Sequence, residues 1–176
     1  MTAYDAASDR VGIRRPTLAD CDEFIALMNA SRELHDPFVD LPKTRERYEA
    51  YIRVREPRTT DEAFLICDRA TGAIAGDINL NCIVRGHFHS VYLGYCVGAP
   101  FARRGYMTEG LRLVTRYAFT EMKLHRVEAN IQPDNLPSIA LVRKCGFKKE
   151  GFSPRYLHIN GQWRDHERWA LLADEA

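Results

Sequence analysis

The chain has 176 residues, 45% of them hydrophobic, enough to bury one sizeable core and too few for two ordinary domains, so residues 1–176 are expected to form a single domain. Lys and Arg number 25 against 24 Asp and Glu; the formal charge of +1 gives no global pull toward nucleic acid or an acidic membrane, and anion recognition must be local. No apolar run approaches the roughly 18 residues that span a bilayer, and the polar start "MTAYDAASDR" lacks a secretory pattern, so no membrane association and a cytoplasmic location are expected.

"VGIRR" reads as a first strand. Thr17 and Asp20 have the spacing of a capping box and are followed by Cys21, Phe24, Ile25 and Met28 on one face of a helix. "SRELHDPFVDLPKT" reads as a loop, because Pro37 and Pro42 remove backbone donors and push their predecessors out of helical geometry. Tyr48, Tyr51 and Ile52 mark a second helix. "EAFLICDR", the turn "ATG" and "AIAGDINLNCIV" form a hairpin, with Ile74, Gly76, Ile78, Leu80 and Cys82 alternating along its second strand.

"SVYLGYCV" alternates Val91, Leu93, Tyr95 and Val97 and runs into "GAPFARRG". From Met107 the apolar positions Leu111, Val114, Ala118 and Met122 follow helical spacing. "HRVEANIQ" returns to period two. "DNLPSIALVRKCGF" carries a helix with Asn135 as N-cap, Pro137 in the first turn and Gly146 past the end. Strands near 147–152 and 166–172 finish an order of βααβββαβαββ, whose central strand–helix–strand crossover places two parallel strands inside a sheet otherwise built from hairpins.

The five cysteines are scattered with no C-x-x-C pair and read as buried free thiols. His87 and His89 in "RGHFHS" would share one side of an extended strand, but no further ligand cluster accompanies them, so no metal is expected.

The stretch "APFARRGYMTEG" places Arg103, Arg104 and Gly105 where a helix begins. A helix N-terminus exposes unpaired N–H groups and about half a positive charge, which suits a phosphate or pyrophosphate; Gly105 lets the backbone come close, and Thr108 adds a hydroxyl. Taken alone, the stretch reads first as a solvated basic loop capping a helix, ahead of an anion site. It matches neither G-x-x-x-x-G-K-[ST] nor G-x-G-x-x-G.

Together, "YLGYCVGAPFARRGYMTEGL" and "HRVEANIQPDNLPSIALVRKCGFKKEGF" resemble the acetyl-coenzyme A binding core of the GNAT acyltransferases. "GHFHSVYLGY", "LHRVEAN", "RKCGFKKEGF" and "YLHINGQWRDH" look further like the RimJ branch, bacterial enzymes that acetylate the N-terminal amine of proteins, including a small-subunit ribosomal protein. The resemblance implies an α/β protein with the GNAT acyl-CoA N-acyltransferase fold: a mixed, mostly antiparallel sheet with one central parallel strand pair and flanking helices.

It also implies site residues. The family motif Q/R-x-x-G-x-G/A falls on Ala102, Arg103, Arg104, Gly105, Tyr106 and Met107, departing at Ala102 and Met107, and its amides would bind the coenzyme A pyrophosphate with Thr108 beside them. Tyr95, Cys96 and Val97 would pair with the pantetheine arm and present an N–H to the thioester oxygen, an oxyanion hole. Asn135 would hold pantetheine and Ser138 would meet the leaving thiolate, while Arg143 would reach the adenosine phosphate. Taken from the residues alone, Asn135 and Ser138 read as a cap and a first-turn filler.

The expected activity is acetyl transfer from acetyl-coenzyme A to the N-terminal α-amine of a protein, with Ala or Ser leading and a ribosomal protein as acceptor. An α-amine needs about 1 kcal/mol to deprotonate at pH 7, a lysine about 4.6, so a weak base suffices; Glu109, Asp77 and Glu150 are carboxylates without an assigned role. The acceptor groove would draw on His35 in "SRELHDPF" and on Tyr156, Trp163, Asp165 and His166 in the terminal hairpin, which Asn160 and Gly161 close; Trp163 reads there as groove wall or as core. The alternatives are a small-amine acetyltransferase (amino acid, polyamine or antibiotic) and a coenzyme A-binding domain without turnover. A monomer and a homodimer are equally compatible with the sequence.

Overall fold

The computed structural model describes residues 3–56 and 60–176. Eight strands form one sheet: β1 (Ala6–Ala7), β2 (Val11–Arg14), β3 (Glu62–Asp68), β4 (Ile74–Val84), β5 (Ser90–Val97), β6 (Arg126–Ile131), β7 (Lys148–Ile159) and β8 (Gln162–Leu172). Their order across the sheet is β1-β2-β3-β4-β5-β6-β8-β7. Every neighbouring pair is antiparallel except β5 and β6, which run parallel from Ser90↔Arg126 to Leu93↔Ala129. The helices are α1 (Cys21–Ala30), α2 (Arg32–His35), α3 (Arg45–Arg55), α4 (Tyr106–Thr120) and α5 (Leu136–Lys144). None of the described helices is long and apolar enough to cross a membrane.

The parallel pair exists because α4 carries the chain back between β5 and β6, the crossover that parallel strands require. Leu111, Val114 and Ala118 on α4 are fully buried against the sheet. Gly110 lets the helix ride close to β3, since a Cβ there would come within 2.6 Å of Ile66. This face also holds Phe64, Ile78, Leu93, Val127, Ala129 and Trp169 in one apolar cluster. The opposite face is covered by α1 and α3, where Phe24, Met28, Tyr48, Leu65 and Cys96 form a second cluster. Strand alternation sorts consecutive residues between the two, as Leu65 and Ile66 illustrate.

The expected elements are present, with differences that have local causes. The α1 entry is held by Asp20, whose Oδ2 accepts from the Thr17 N–H at 2.7 Å and hydroxyl at 2.9 Å, while Arg14 pairs with its carboxylate at 2.6 Å. The segment expected to be wholly loop contains α2, which ends before Pro37, and β1 adds an edge strand that its two residues give no periodicity to reveal. A register shift at Ile66/Cys67 moves Ile74 to the α1/α3 cluster, out of step with Ile78 and Leu80. A second shift between Asn81 and Val84 takes Cys82 to φ 53° and leaves it exposed, so the alternation stops short of it. Cys21, Cys67 and Cys96 are buried thiols as expected, Cys145 partly so, and Cys82 is not. His87 and His89 lie in the exposed β4–β5 turn, where His89 has φ 44°, and do not share a strand face. β7 and β8 are longer than expected and meet at Asn160 (φ 49°) and Gly161 (φ 77°), the two left-handed residues of a tight hairpin.

Candidate active site

The β5–α4 connection is shaped for an anion. After Gly98 a 3-10 turn, Ala99–Phe101, leads to Arg103 (φ 59°) and Gly105 (φ 85°), two left-handed residues that turn the chain into α4. The N–H groups of Arg103, Gly105, Tyr106, Met107 and Thr108 have no protein acceptor among the described residues. They sit at the positive end of a 15-residue helix. The Ala102 N–H bonds the Ala99 carbonyl at 3.2 Å, so its side chain departs from the motif at a position whose amide is already committed. Met107 is buried and belongs to the core, close to Gly76. Arg103 and Arg104 are exposed at the rim, where Arg104 donates to the Pro100 carbonyl at 3.1 Å.

Just before this turn β5 has a free edge. Its pairing with β6 ends at Leu93↔Ala129, whereas its pairing with β4 continues to Gly76↔Val97. The Gly98 N–H bonds the Ala75 carbonyl on β4 at 2.8 Å, so two-residue alternation turns the main-chain groups of Val97 and Tyr95 toward β6, where no strand meets them. An extended ligand chain can pair there. His35 Nε2 lies 2.7 Å from the Val97 carbonyl and must donate to it.

Beside this edge stand Tyr95 and Ser138, whose hydroxyls are 2.6 Å apart. Asn135 caps α5 through Oδ1, which accepts from the Ser138 N–H at 3.3 Å, and this fixes the serine in the first turn. Burial pushes the Tyr95 phenol well above its usual range, so it stays protonated and able to donate through Ser138. The Tyr95 hydroxyl is a functional group that sequence reading did not single out. The signal was an inward-facing tyrosine that needed a hydrogen-bond partner. Arg143 is on the last turn of α5 with its guanidinium 5.1 Å from the Trp169 ring centroid.

The remaining sequence candidates line the α1/α3 face and the terminal hairpin. His166 is buried, with the Tyr156 ring 6.1 Å away edge-on. Trp163 is 62% exposed and packs on His158 at 5.3 Å, so it is not a core residue; Trp169 is. Asp165 is exposed and its Oδ1 accepts from the Arg155 N–H at 2.7 Å, pinning the register shift in β7. The hairpin and the α2 segment are tied together: Asn160 donates to the Asp36 carbonyl at 2.7 Å, and Gln132 at the end of β6 donates to the Phe38 carbonyl at 3.1 Å. Three carboxylates left without a role are committed elsewhere. Glu109 accepts from Ser8 at 2.8 Å and Arg10 at 3.0 Å, and Glu150 pairs with Arg126, which holds its carboxyl below the usual range. Asp77 is sealed in the sheet with the Cys96 thiol on one oxygen and Asn79 Nδ2 on the other at 2.7 Å; burial pushes its pKa up.

A mixed sheet with a single parallel pair, an open β5 edge and an anion-ready helix start define the GNAT fold class. The acetyltransferase (GNAT) domain model matches residues 10–148, and the chain belongs to that family of N-acetyltransferases. A probable N-acetyltransferase of Bacillus subtilis, YjcK, is 32% identical over 168 residues, covering 91% of this chain and 92% of the relative. The ribosomal protein uS5-alanine N-acetyltransferase of Escherichia coli is 44% identical over 102 residues, 58% of this chain and 53% of that protein. The solved structure of Mycobacterium smegmatis RimJ in complex with CoA-disulfide superposes with TM-score 0.86 at 26% identity, over 94% of this chain and 83% of that one.

Proposed function

We propose that the protein transfers the acetyl group of acetyl-coenzyme A to the N-terminal α-amine of a protein, with a ribosomal protein beginning with Ala or Ser as the acceptor class. The observation that carries the donor half is the set of N–H groups of Arg103, Gly105, Tyr106, Met107 and Thr108, unpaired among the described residues, directly after the open edge of β5. The amides of Arg103, Gly105, Tyr106, Met107 and Thr108 take the pyrophosphate, Arg103 and Arg104 add rim charge, and Arg143 reaches the adenosine phosphate. Tyr95, Cys96 and Val97 carry the pantetheine arm along β5, with a β5 N–H facing the thioester oxygen. Asn135 Nδ2, with no partner among the described residues, holds the arm, and Ser138, backed by Tyr95, protonates the leaving thiolate. The coenzyme's chemistry is an activated acyl group; positioning, oxyanion stabilisation and proton transfer fall to the protein. The acceptor half is supported by the uS5-alanine acetylating relative and by the α1–α3 side of the sheet, where Tyr156 packs on His166 and His35 bonds the end of β5; Trp163 and Asp165, of opposite parity to His166 on β8, fall on the other side of that strand.

Two measurements test this. Purified protein with acetyl-coenzyme A is expected to acetylate peptides beginning with Ala or Ser faster than those beginning with Met or Leu, and to leave lysine-only peptides unmodified; transfer confined to lysine side chains would defeat the N-terminal assignment. Gly105→Val is expected to weaken coenzyme A binding about tenfold in calorimetry, since φ 85° disfavours any side chain and a Cβ there would press within 3.0 Å of Arg10 Nη2. Unchanged affinity would remove this turn from the donor site.

A further inference from the structure

The face of the sheet under α1–α3 carries a transverse polar row at the level where β5 and β6 part. Extending the pairing Leu93↔Ala129 by three residues sets Cys96 level with Gln132, and extending Ile131↔Glu167 by one sets Gln132 level with His166. Asp77 pairs with Cys96 at one end and Ser153 with His166 at the other. Alternation puts the side chains of Asp77, Cys96, Gln132 and His166 on one face, because Ile78, Val97 and Ile131, each adjacent to one of them, and Trp169, three residues on from His166, belong to the cluster under α4. One step down the strands lie Asn79, Gly94, Asn130 and Arg168.

This patch is short of hydrogen-bond partners. Asn79 Oδ1, Asn130 Oδ1 and the Tyr51 hydroxyl from α3 are buried without a partner among the described residues. Gly94 supplies no side chain between the two asparagines, and a Cβ there would make only ordinary contacts, the nearest at 3.4 Å, so close packing does not require the glycine. Unpaired buried oxygens cost free energy, so this stretch of the sheet stays polar at a cost that packing alone does not require.

Within the row His166 is 3% exposed. Its Nδ1 is 2.9 Å from the Arg164 carbonyl. A carbonyl only accepts, so Nδ1 carries the hydrogen and the lone pair is on Nε2, which has no partner among the described residues and is not among the sealed-off atoms. With β6 alone between β8 and the gap, at the ordinary spacing of about 4.8 Å per strand, an acceptor amine standing over β6 would have His166 on one side and the β5 edge on the other. We propose that His166 Nε2 is the proton acceptor for the incoming amine, and hence a catalytic residue of the acyl transfer.

The proposal rests on the N-acyltransferase reading above and adds to it the base. Competing groups are occupied: Asp77 by Cys96 and Asn79, Glu128 by Arg126 at 2.8 Å, and His35 by the Val97 carbonyl, which aims its Nε2–H at β5 and turns its Nδ1 lone pair away. In the step, the acceptor ammonium gives one proton to Nε2, and its freed lone pair forms the C–N bond at the thioester carbon. The C–S bond then breaks, and a second proton from the nitrogen ends on the thiolate through the Ser138 and Tyr95 hydroxyls. The imidazolium returns its proton to solvent, so one proton is released per turnover.

Burial lowers the His166 pKa from its ordinary 6.5, against the raising influence of the Arg164 carbonyl and of Asp165. The other groups facing it are Arg164 and Arg168 on its own strand, Tyr156 and Ser153 on β7, and the neutral Gln132 on β6. The ring is therefore neutral at pH 7, and kcat/KM should fall only as pH drops through a value below 6.5.

The test is His166→Gln, with His35→Gln as comparison. In His166→Gln, kcat/KM for an Ala-starting peptide should drop about 100-fold and the acidic limb of the pH profile should vanish, with coenzyme A affinity unchanged; His35→Gln should keep that limb. Retention of both rate and limb in His166→Gln would overturn the proposal. Nitrogen NMR of wild-type protein gives a check that no variant can spoil: the Nδ1–H tautomer with a pKa below 6.5 is expected, and an Nε2–H tautomer refutes it. Should peptides prove inert and a small amine be acetylated with the same His166-dependent limb, the N-terminal reading falls and the base assignment stands.

Discussion

Ser138→Ala is expected to lower turnover at least tenfold, about 1.4 kcal/mol, while leaving coenzyme A affinity and folding close to wild type. Folding is spared because the Asn135 cap bonds the Ser138 N–H, which alanine retains. Turnover is not, because the hydroxyl held 2.6 Å from Tyr95 is the donor beside the strand on which the thioester would lie. A thiolate left without a proton donor re-forms the thioester more readily than it departs, so the loss appears in kcat and not in donor binding. Tyr95→Phe should reproduce most of the effect by leaving Ser138 without its buried, protonated partner. If the two hydroxyls work as one relay, the double variant is no slower than the slower single variant. Fully additive losses would show independent roles, and wild-type kcat in Ser138→Ala would remove the serine from the chemistry.

The parts of the fold that could be read from sequence are those specified within a few residues. Asn160-Gly161 demands a tight hairpin turn wherever it stands between strands, and Asn135, Pro137 and Gly146 frame α5 by backbone chemistry alone. The period of Leu111, Val114 and Ala118 marks α4 because one helix face must be apolar. What could not be read depends on partners distant in sequence. The shift that exposes Cys82 arises where β4 must match β5 across the turn at 85–89, and nothing local to the cysteine announces it. The site divides in the same way. Gly105 and the α4 start belong to one short stretch, whereas Tyr95 and Ser138 meet across 43 residues, and the alignment of His166 with Cys96 passes through two strand pairings. Period two says only that Tyr95 faces inward; the sheet order decides what it faces.

Tyr48→Ala is expected to destabilise the protein by about 3–5 kcal/mol, the cost of emptying a large buried aromatic site, and so to remove much of the 5–15 kcal/mol typical of a folded domain. Tyr48 is fully buried, with ring centroids of Phe24 and Tyr51 at 5.0 and 5.7 Å, and its hydroxyl donates to the Thr17 carbonyl at 3.0 Å. It therefore joins α3 both to α1 and to the turn that starts α1. Tyr48→Phe separates the two contributions: it keeps the ring and removes only the hydroxyl's bond to the Thr17 carbonyl, which still accepts from the Asp20 N–H at 3.1 Å, for a loss of about 1 kcal/mol. Denaturant midpoints measure both, and an alanine variant no weaker than the phenylalanine one would mean that α1 and α3 do not depend on this ring. The two sheet faces predict how function follows. Tyr51, one turn along α3, packs on the same α1/α3 cluster beside Asp77 and Cys96, while the turn proposed to bind the pyrophosphate leads into α4 on the other cluster. At a temperature where Tyr48→Ala remains folded, acceptor KM should rise well before coenzyme A affinity changes, because loosening α3 opens the acceptor side of the sheet and leaves the donor side packed.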